Sequence, residues 1–472
     1  SNYNDEEERL VSGRNGLGIK VCLKKGTLVP KFDGEILKIE DLQIGQFIIG
    51  DDGCRRNITN KCEGNGKLFE VSQQRGNSYI VNENHIISLR MPDHKIIFWN
   101  TTRNGWSILW LDKENIKVCS KHIRASPPEI VCPECNQKLH SNLSRHYKRK
   151  HKDKKVPKKT RKSPTVIPPD KSEVKQALEE MKKFSETISD DNTIDICIKD
   201  YMKLNKTTQG RLTGFVSECV DWEEKEVKLD PYVLGLWLGD GYKNGYGFAI
   251  NSKDDPEILE YLEEWGKEND ATFKHVGKVA YSISSSTKSG VAPLKKLLSE
   301  YNLIDNKHIP KEYLVNSSEV RLAVLAGMID SDGCVQSDGR RITIAQGMDH
   351  SKLASDFIFL AKSLGLMCSS HIINTQWEYK GELRRGNAVN INISGNTEDI
   401  PTLVARKKCF RPLSRNVTNT GKISIKEVES GDYVGIEVDG NNRFVLDDFT
   451  VTHNCNIFSK SFTVEGVDPA NQ

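Results

Sequence analysis

No apolar run in the 472 residues approaches the roughly 20 that a membrane-spanning helix needs. The first residues, Ser1-Asn2-Tyr3-Asn4-Asp5, turn acidic where a secretory leader would carry positive charge ahead of an apolar stretch. These two absences predict an intracellular, non-secreted protein with no membrane partner. The 12 cysteines show no even spacing, which excludes a disulfide framework and leaves reduced thiols, one metal-binding pair and two nucleophiles. Net charge is also nearly missing: 68 basic residues against 65 acidic ones leave +3, so no chain-wide field draws a partner. One segment departs from that balance, because Lys138 to Lys162 holds 12 Lys or Arg against the single acid Asp153.

The length calls for two to four folded units. From Cys22 to about Val118 apolar and polar residues alternate around Gly turns such as Asp33-Gly34 and Asp52-Gly53, which predicts β hairpins. The same texture returns over Ile423 to Val451, with Tyr433 to Val438 and Arg443 to Leu446 reading as strands. Between them lie the basic segment, a Pro-containing linker around Ser163 to Pro169, and an α/β stretch from about Leu229 to Leu403. Two β-rich pieces around something helical predict one all-β domain carrying an insertion.

The triplet His453-Asn454-Cys455 pairs with Cys22 as a set of reacting groups. An Asn side-chain amide can attack its own carbonyl, leave a succinimide and break the bond to Cys455. A Cys22 thiol can attack the Val21 carbonyl to give a thioester, which Cys455 can then take over. The predicted outcome is excision of residues 22–454 and a new Val21–Cys455 bond.

The insertion repeats itself. Val233-Leu-Gly-Leu-Trp-Leu-Gly-Asp-Gly241 aligns with Leu325-Ala-Gly-Met-Ile-Asp-Ser-Asp-Gly333 on the terminal Asp-Gly, so Gly235 matches Gly327 and Gly239 matches Ser331. Small residues at i and i+4 share a helix face and permit close approach of two backbones. Each helix then ends in an acid, which opposes the helix dipole by about 0.3–1 kcal/mol when exposed, so something must offset it. Asp240 and Asp332, brought together, predict a divalent cation between them. Upstream, Cys132-Pro133-Glu134-Cys135 with His146 and His151 has the order and spacing of a structural zinc site, and Leu139 with Leu143 supplies a small core. His140 is an alternate ligand. Arg145, Lys148, Arg149, Lys150, Lys152, Lys154 and Lys155 in or beside its helix suit phosphate contacts.

On these residues, 22–454 resembles an intein with a nested LAGLIDADG-type (DOD-type) homing endonuclease, similar to the fungal vacuolar-ATPase intein. Cys22-Leu-Lys-Lys-Gly-Thr27 looks like an intein start, and Asn82-Glu-Asn-His85 sits where inteins place Thr-x-x-His. The resemblance implies that His85 protonates the departing amide, that His453 assists Asn454, and that Lys307 and Lys407 or Lys408 are catalytic lysines beside the two acids. Asn82 departs from the usual Thr, and Gly435 stands where many inteins carry Asp. The implied fold class is multidomain: an all-β Hint (hedgehog/intein) splicing domain with an inserted α/β pseudo-symmetric LAGLIDADG endonuclease and a small ββα-like zinc finger. The expected divisions are a host segment 1–21, Hint 22–125, finger 126–155, a basic linker returning to Hint at 156–228, endonuclease 229–403, Hint 404–454 and host 455–472.

Joined across the excision, the flanks resemble the ATPase domain of a eukaryotic-type DNA topoisomerase II. Gly13-Arg14-Asn15-Gly16-Leu17-Gly18 is a Gly-rich loop that can cradle phosphates. The implied ATP-site residues are Asn2, Gly13, Arg14, Asn15, Gly16, Gly18 and Lys20. Expected cofactors are Mg²⁺ at Asp240 and Asp332, Zn²⁺ at Cys132, Cys135, His146 and His151, and ATP with Mg²⁺ for the spliced host alone. Expected partners are double-stranded DNA for a monomeric intein and a second host copy for the spliced product, in the nucleus or another DNA-containing compartment. The rivals are an ATP-hydrolysing type II topoisomerase with the insertion as passenger, and a splicing-inactive zinc-finger protein that holds DNA without cutting it.

Overall fold

A computed structural model describes residues 21–125, 129–139, 143–154, 166–167, 170–287, 290–379, 381–411 and 418–453. Asn2, Gly13, Arg14, Asn15, Gly16, Gly18 and Lys20 lie outside the described residues, as do His140, Lys155, Asn454 and Cys455. Among the described residues no helix is long and apolar enough to cross a membrane. The chain divides into two compact units, one of residues 1–88, 195–202 and 214–472, the other of 89–194 and 203–213.

In the first unit the predicted hairpins form where Gly supplies a left-handed backbone. Leu28–Pro30 pairs with Ile36–Lys38 around Gly34 (φ +84°), and Phe47–Ile49 pairs with Arg55 to Asn57 around Gly53 (φ +77°). The frame of this region is β1 (Leu23–Lys24), β2 (Arg55–Gln73), β3 (Tyr79–Asn82), β4 (Asn419–Val438), β5 (Arg443–Val445) and β6 (Val451–His453). Phe69 and Val71, Tyr79 and Val81, and Val434, Ile436 and Val438 are buried at alternate positions, as the strand period requires. The strands run β4-β1-β3-β2, and β4 pairs a second time with β2, so the sheet closes on itself. Leu23 opposes both Val434 and Val81, which brings the two distant β-rich pieces of sequence into one layer. β5 and β6 form a hairpin that sets His453 opposite Arg443.

The intervening α/β stretch is built in two matched halves. Helix α1 (Pro231–Asp240) is capped by Asp230, whose side chain accepts the Val233 N–H, and α2 (Ser318–Asp332) is capped by Ser317. Each leads into its own antiparallel sheet, Gly247–Ala249, Ala271–Gly277 and Ala280–Ser285 after the first, Cys334–Val335, Ile342–Gly347, Met367–Tyr379 and Glu382–Ser394 after the second. Both helices are apolar nearly all round, and their Val, Leu, Ile and Met side chains centre one continuous core.

The second unit holds an antiparallel sheet of Ile97–Asn100, Gly105–Asp112 and Lys117–Arg124. Part of the span read from sequence as linker is instead the helix Lys171–Glu186. Asp170 caps it by accepting the Ser172 N–H, and Trp106 donates its ring N–H to the Val174 carbonyl at 3.0 Å. Glu129–Val131, Lys138–Leu139 and the helix Leu143–Lys150 make the small element that carries the Cys and His pairs.

Candidate active sites and metal centre

The first site forms where β1 enters the closed sheet. Cys22 is 1% exposed. Its amide donates to Asn82 Oδ1 at 3.0 Å while its carbonyl accepts the Asn82 N–H at 3.0 Å, so the residue standing in place of Thr grips residue 22 from both sides. Three residues on, the His85 ring is fully buried, with Nε2 2.7 Å from Thr452 Oγ1 on β6. Burial pushes the imidazole down to about 3, the neighbouring His453 pushes the same way, and the Cys22 backbone opposes them. A neutral imidazole is therefore the resting form at physiological pH. His453 itself is 6% exposed.

Gly435 on β4 has a steric reason to be glycine. A Cβ there would stand 2.7 Å from Cys22 Sγ and 3.0 Å from both the Val21 carbonyl oxygen and Cys62 Sγ. An Asp at this position would fill the space that the thiol and the junction carbonyl occupy. Cys62, directly opposite Gly435 on β2, brings its sulfur to 3.8 Å from that of Cys22. With β4 lying between their strands, the two sulfurs meet over the missing side chain, while neighbouring strands about 4.8 Å apart keep their backbones too distant for a disulfide. Neither Cys62 nor Thr452 carried a sequence signal: they lie 40 and 430 positions from Cys22, and only the closed sheet unites them.

The second site lies at the C-terminal ends of α1 and α2. A Cβ on Gly235 would meet the Val324 carbonyl at 2.2 Å, and one on Gly327 the Tyr232 carbonyl at 2.2 Å, so both glycines are needed for the backbones to cross this closely. The crossing brings Asp240 and Asp332 to one place. Burial raises both carboxyls, Asp240 to about 6 with Asp332 adding to the shift, while Lys307 and Lys407 pull both back down. The two lysines repeat each other. Lys307 Nζ donates to the carbonyls of Leu238 (3.0 Å) and Gly239 (2.9 Å); Lys407 Nζ donates to Ile329 (3.0 Å), Asp330 (2.6 Å) and Ser331 (2.9 Å). In the Asp-Gly alignment Leu238 and Gly239 correspond to Asp330 and Ser331, so each ammonium caps the same carbonyls of its own helix. This is the offset that two acids at helix C-termini demand. It also separates Lys407, 3% exposed and seated on α2, from its neighbour Lys408. Burial lowers both lysines, Lys307 to about 8.

Sequence reasoning missed the supports. Gln346 Nε2 donates to Asp332 Oδ2 at 3.1 Å, and Arg406 pairs with Asp255 through two bonds of 2.8 and 2.6 Å. Asp330 is buried and accepts the Tyr232 hydroxyl at 2.8 Å and the Leu403 N–H at 2.6 Å, which makes it a structural acid, unlike Asp332. The mutually repelling carboxylate pair with unspent oxygens, Asp240 half-buried and Asp332 open to solvent, fits a hard divalent cation.

In the second unit the ligand atoms of Cys132, Cys135, His146 and His151 all lie within 4.8 Å of one another. Cys132 Sγ is 3.5 Å from His151 Nε2 and Cys135 Sγ 3.3 Å from His146 Nε2, separations that suit the edges of a tetrahedron around zinc. Burial pushes the Cys132 thiol up, but the backbone N–H groups of Glu134 and Cys135 outweigh it and leave the thiol below its ordinary range. Leu143 and Tyr147 pack on Cys132 with Leu139 beside them; Tyr147 is the core residue that the sequence reading overlooked.

Comparison with known proteins supplies a match to the family described as Hom_end-associated Hint over residues 22–453. The replicative DNA helicase DnaB of Mycobacterium intracellulare is 26% identical over 235 residues, 49% of this chain and 35% of that protein. The catalytic subunit of the V-type proton ATPase of Candida tropicalis is 22% identical over 507 residues, 92% of this chain and 43% of that protein. The homothallic switching endonuclease of Saccharomyces cerevisiae is 23% identical over 277 residues, 50% of this chain and 45% of that protein. The chain spans less than half the length of each of these relatives.

Proposed function

The chain belongs to the Hom_end-associated Hint family, an intein-type Hint domain with homing-endonuclease similarity, and on that premise we propose that it excises residues 22–454 from its host and cuts double-stranded DNA. The observation that carries the splicing reading is the convergence on the Val21–Cys22 bond of Asn82, His85 and the glycine gap at Gly435, with the strand preceding Asn454 packed against the same His85.

Cys22 Sγ attacks the Val21 carbonyl; the C–S bond forms, the C–N bond breaks, and the thiol proton reaches the departing amine through His85. Cys455 Sγ next displaces Cys22 from the thioester. Asn454 then closes on its own carbonyl with His453 beside it, releasing the amine of Cys455. The S-to-N shift moves the Val21 acyl group onto that amine and completes the host peptide.

For DNA cleavage, Asp240 and Asp332 would hold Mg²⁺, which when bound supplies a Lewis acid for the scissile phosphate. Lys307 and Lys407 lock the helix ends that carry the acids and place positive charge beside developing phosphate charge. Cys132, Cys135, His146 and His151 would hold Zn²⁺ as a structural ion, and the basic helix beside them adds phosphate contacts that lengthen the recognised site. The flanks support a topoisomerase II host: residues 1–21 carry its phosphate loop, Gly13 to Gly18, and the helix that should follow that loop would come from residues 455–472, so only accurate splicing would reunite the two. ATP with Mg²⁺ and a second host copy belong to that spliced product.

Intact-mass analysis of the expressed chain tests the reading. A product joining residues 1–21 to 455–472, with a free 22–454 fragment, is expected from the wild type and absent from Cys22→Ala with Asn454→Ala. A wild-type chain that stays full length under reducing conditions sinks the splicing proposal.

A further inference from the structure

The hydroxyl of Thr452 touches the catalytic machinery of the opposite end of the chain. Thr452 and His85 are both fully buried, 367 positions apart, and their 2.7 Å contact joins β6 to the junction at Cys22. His453 follows Thr452 directly, so one short strand carries a side chain for each junction.

A neutral imidazole has one N–H and one lone pair, and which nitrogen holds which is decided by its partners. His85 Nδ1 meets no partner at hydrogen-bond geometry, while the Cys22 backbone lies against the ring and favours its protonated form, and Nε2 is engaged by Thr452. We propose that Thr452 is a positioning residue for His85: its Oγ1 accepts the Nε2–H and so leaves the Nδ1 lone pair as the proton carrier at the Val21–Cys22 bond. The proton balance follows. Nδ1 takes the thiol proton as sulfur attacks, the imidazolium keeps its Nε2–H on Thr452, and Nδ1 returns the proton to the leaving amide nitrogen. The hydroxyl thus serves as the orienting third member of a Cys–His arrangement. A valine in its place keeps the volume and removes the acceptor, leaving the imidazolium uncompensated in a dry site.

This deepens the splicing reading and rests on it, so the test separates the two. In an Asn454→Ala, Cys455→Ala parent, which confines the chemistry to the first junction, dithiothreitol releases residues 1–21 from the thioester. Release is expected to slow by about tenfold in Thr452→Val and to stay within about threefold of the parent in Thr452→Ser. The ¹⁵N spectra of histidine-labelled protein are expected to show the Nε2–H tautomer of His85 in the parent and in Thr452→Ser, and its loss in Thr452→Val. Parent-like release with an unchanged tautomer in Thr452→Val overturns the assignment. So does a Thr452→Ser chain as slow as Thr452→Val, which would mark a packing role. A parent that releases nothing sinks the splicing reading instead, and the nitrogen spectra then decide Thr452 alone.

Discussion

The two candidate sites handle charge in opposite ways. Around Cys22 the groups are neutral and sealed: a buried thiol, an imidazole held unprotonated, an Asn and a Gly. Around Asp240 and Asp332 two raised carboxyls stand near two lowered lysines, and Asp240 lines a cavity of 290 Å³ together with Asp255, Asp330 and Arg406. The difference follows from what reacts. On the proposed function the substrate of the first site is the chain's own peptide bond, already in place, so burial would cost no access and proximity would do most of the catalysis. At the second, a polyanion must arrive from solvent, and fixed charge beside an open path is what meets it.

The sharpest way to break this comparison is to disable each site and watch the other. Cys22→Ala is expected to abolish excision by intact mass while leaving cleavage of a target DNA unchanged. Asp332→Asn is expected to lower cleavage by about 10³-fold or more with splicing intact. Loss of both activities in either variant would mean that the sites share more than a chain.

Next in size is the lysine assignment. Lys407→Met removes an ammonium that binds three carbonyls at the end of α2, and single-turnover cleavage is expected to fall by about 10²-fold. Lys408→Met should cleave at the wild-type rate; an equal loss would erase the distinction drawn from the matched halves. Gly435→Ala tests the sealed site in the same range. Its Cβ needs the space of Cys22 Sγ, so thiol-triggered release of residues 1–21 is expected to slow by about tenfold to a hundredfold, without effect on DNA cleavage.

A smaller effect belongs to the metal centre of the second unit. If the Cys/His cluster holds the proposed zinc, its removal by a chelator, or Cys135→Ser, is expected to weaken DNA binding about tenfold at moderate salt and to flatten its salt dependence, because basic side chains of Leu143–Lys150 lose their frame. Splicing should not change.

What the sequence made legible follows from how local each signal is. The Asp-Gly hairpins, the two capped helices and the Cys/His spacing are contained within a few residues, and each was found where the pattern placed it. The repeat ending in Asp240 and Asp332 was legible because duplication writes a non-local contact into the text twice. Cys62, Thr452 and Gln346 were not, since each matters only through a partner that closure of a sheet or crossing of helices brings near. Gly435 looked like a missing Asp until its neighbours showed a glycine-sized space. The helix Lys171–Glu186 was legible and overlooked: Val174, Ala177 and Met181 fall at helical spacing beneath its charges.

The smallest expected effect probes the cost of a sealed, neutral site. Folding takes His85 from its ordinary value near 6.5 to about 3, so between those limits the unfolded chain binds a proton that the folded one excludes. Stability is then untouched above pH 6.5 and falls as the pH drops towards 3, by about 1.4 kcal/mol for each unit. At pH 5.5 the loss from this residue is about 1.4 kcal/mol relative to pH 7.5. His453 and the Cys22 backbone lie against the same ring in both chains, so the informative quantity is the difference between wild type and His85→Gln. Hydrogen exchange of peptides spanning residues 79–90, compared between the two chains at each pH, cancels the intrinsic exchange chemistry. Protection in the wild type is expected to fall about tenfold relative to His85→Gln between pH 7.5 and 5.5. A constant ratio would mean that His85 admits its proton without cost, and the contrast between a sealed neutral site and an open charged one would lose its first half.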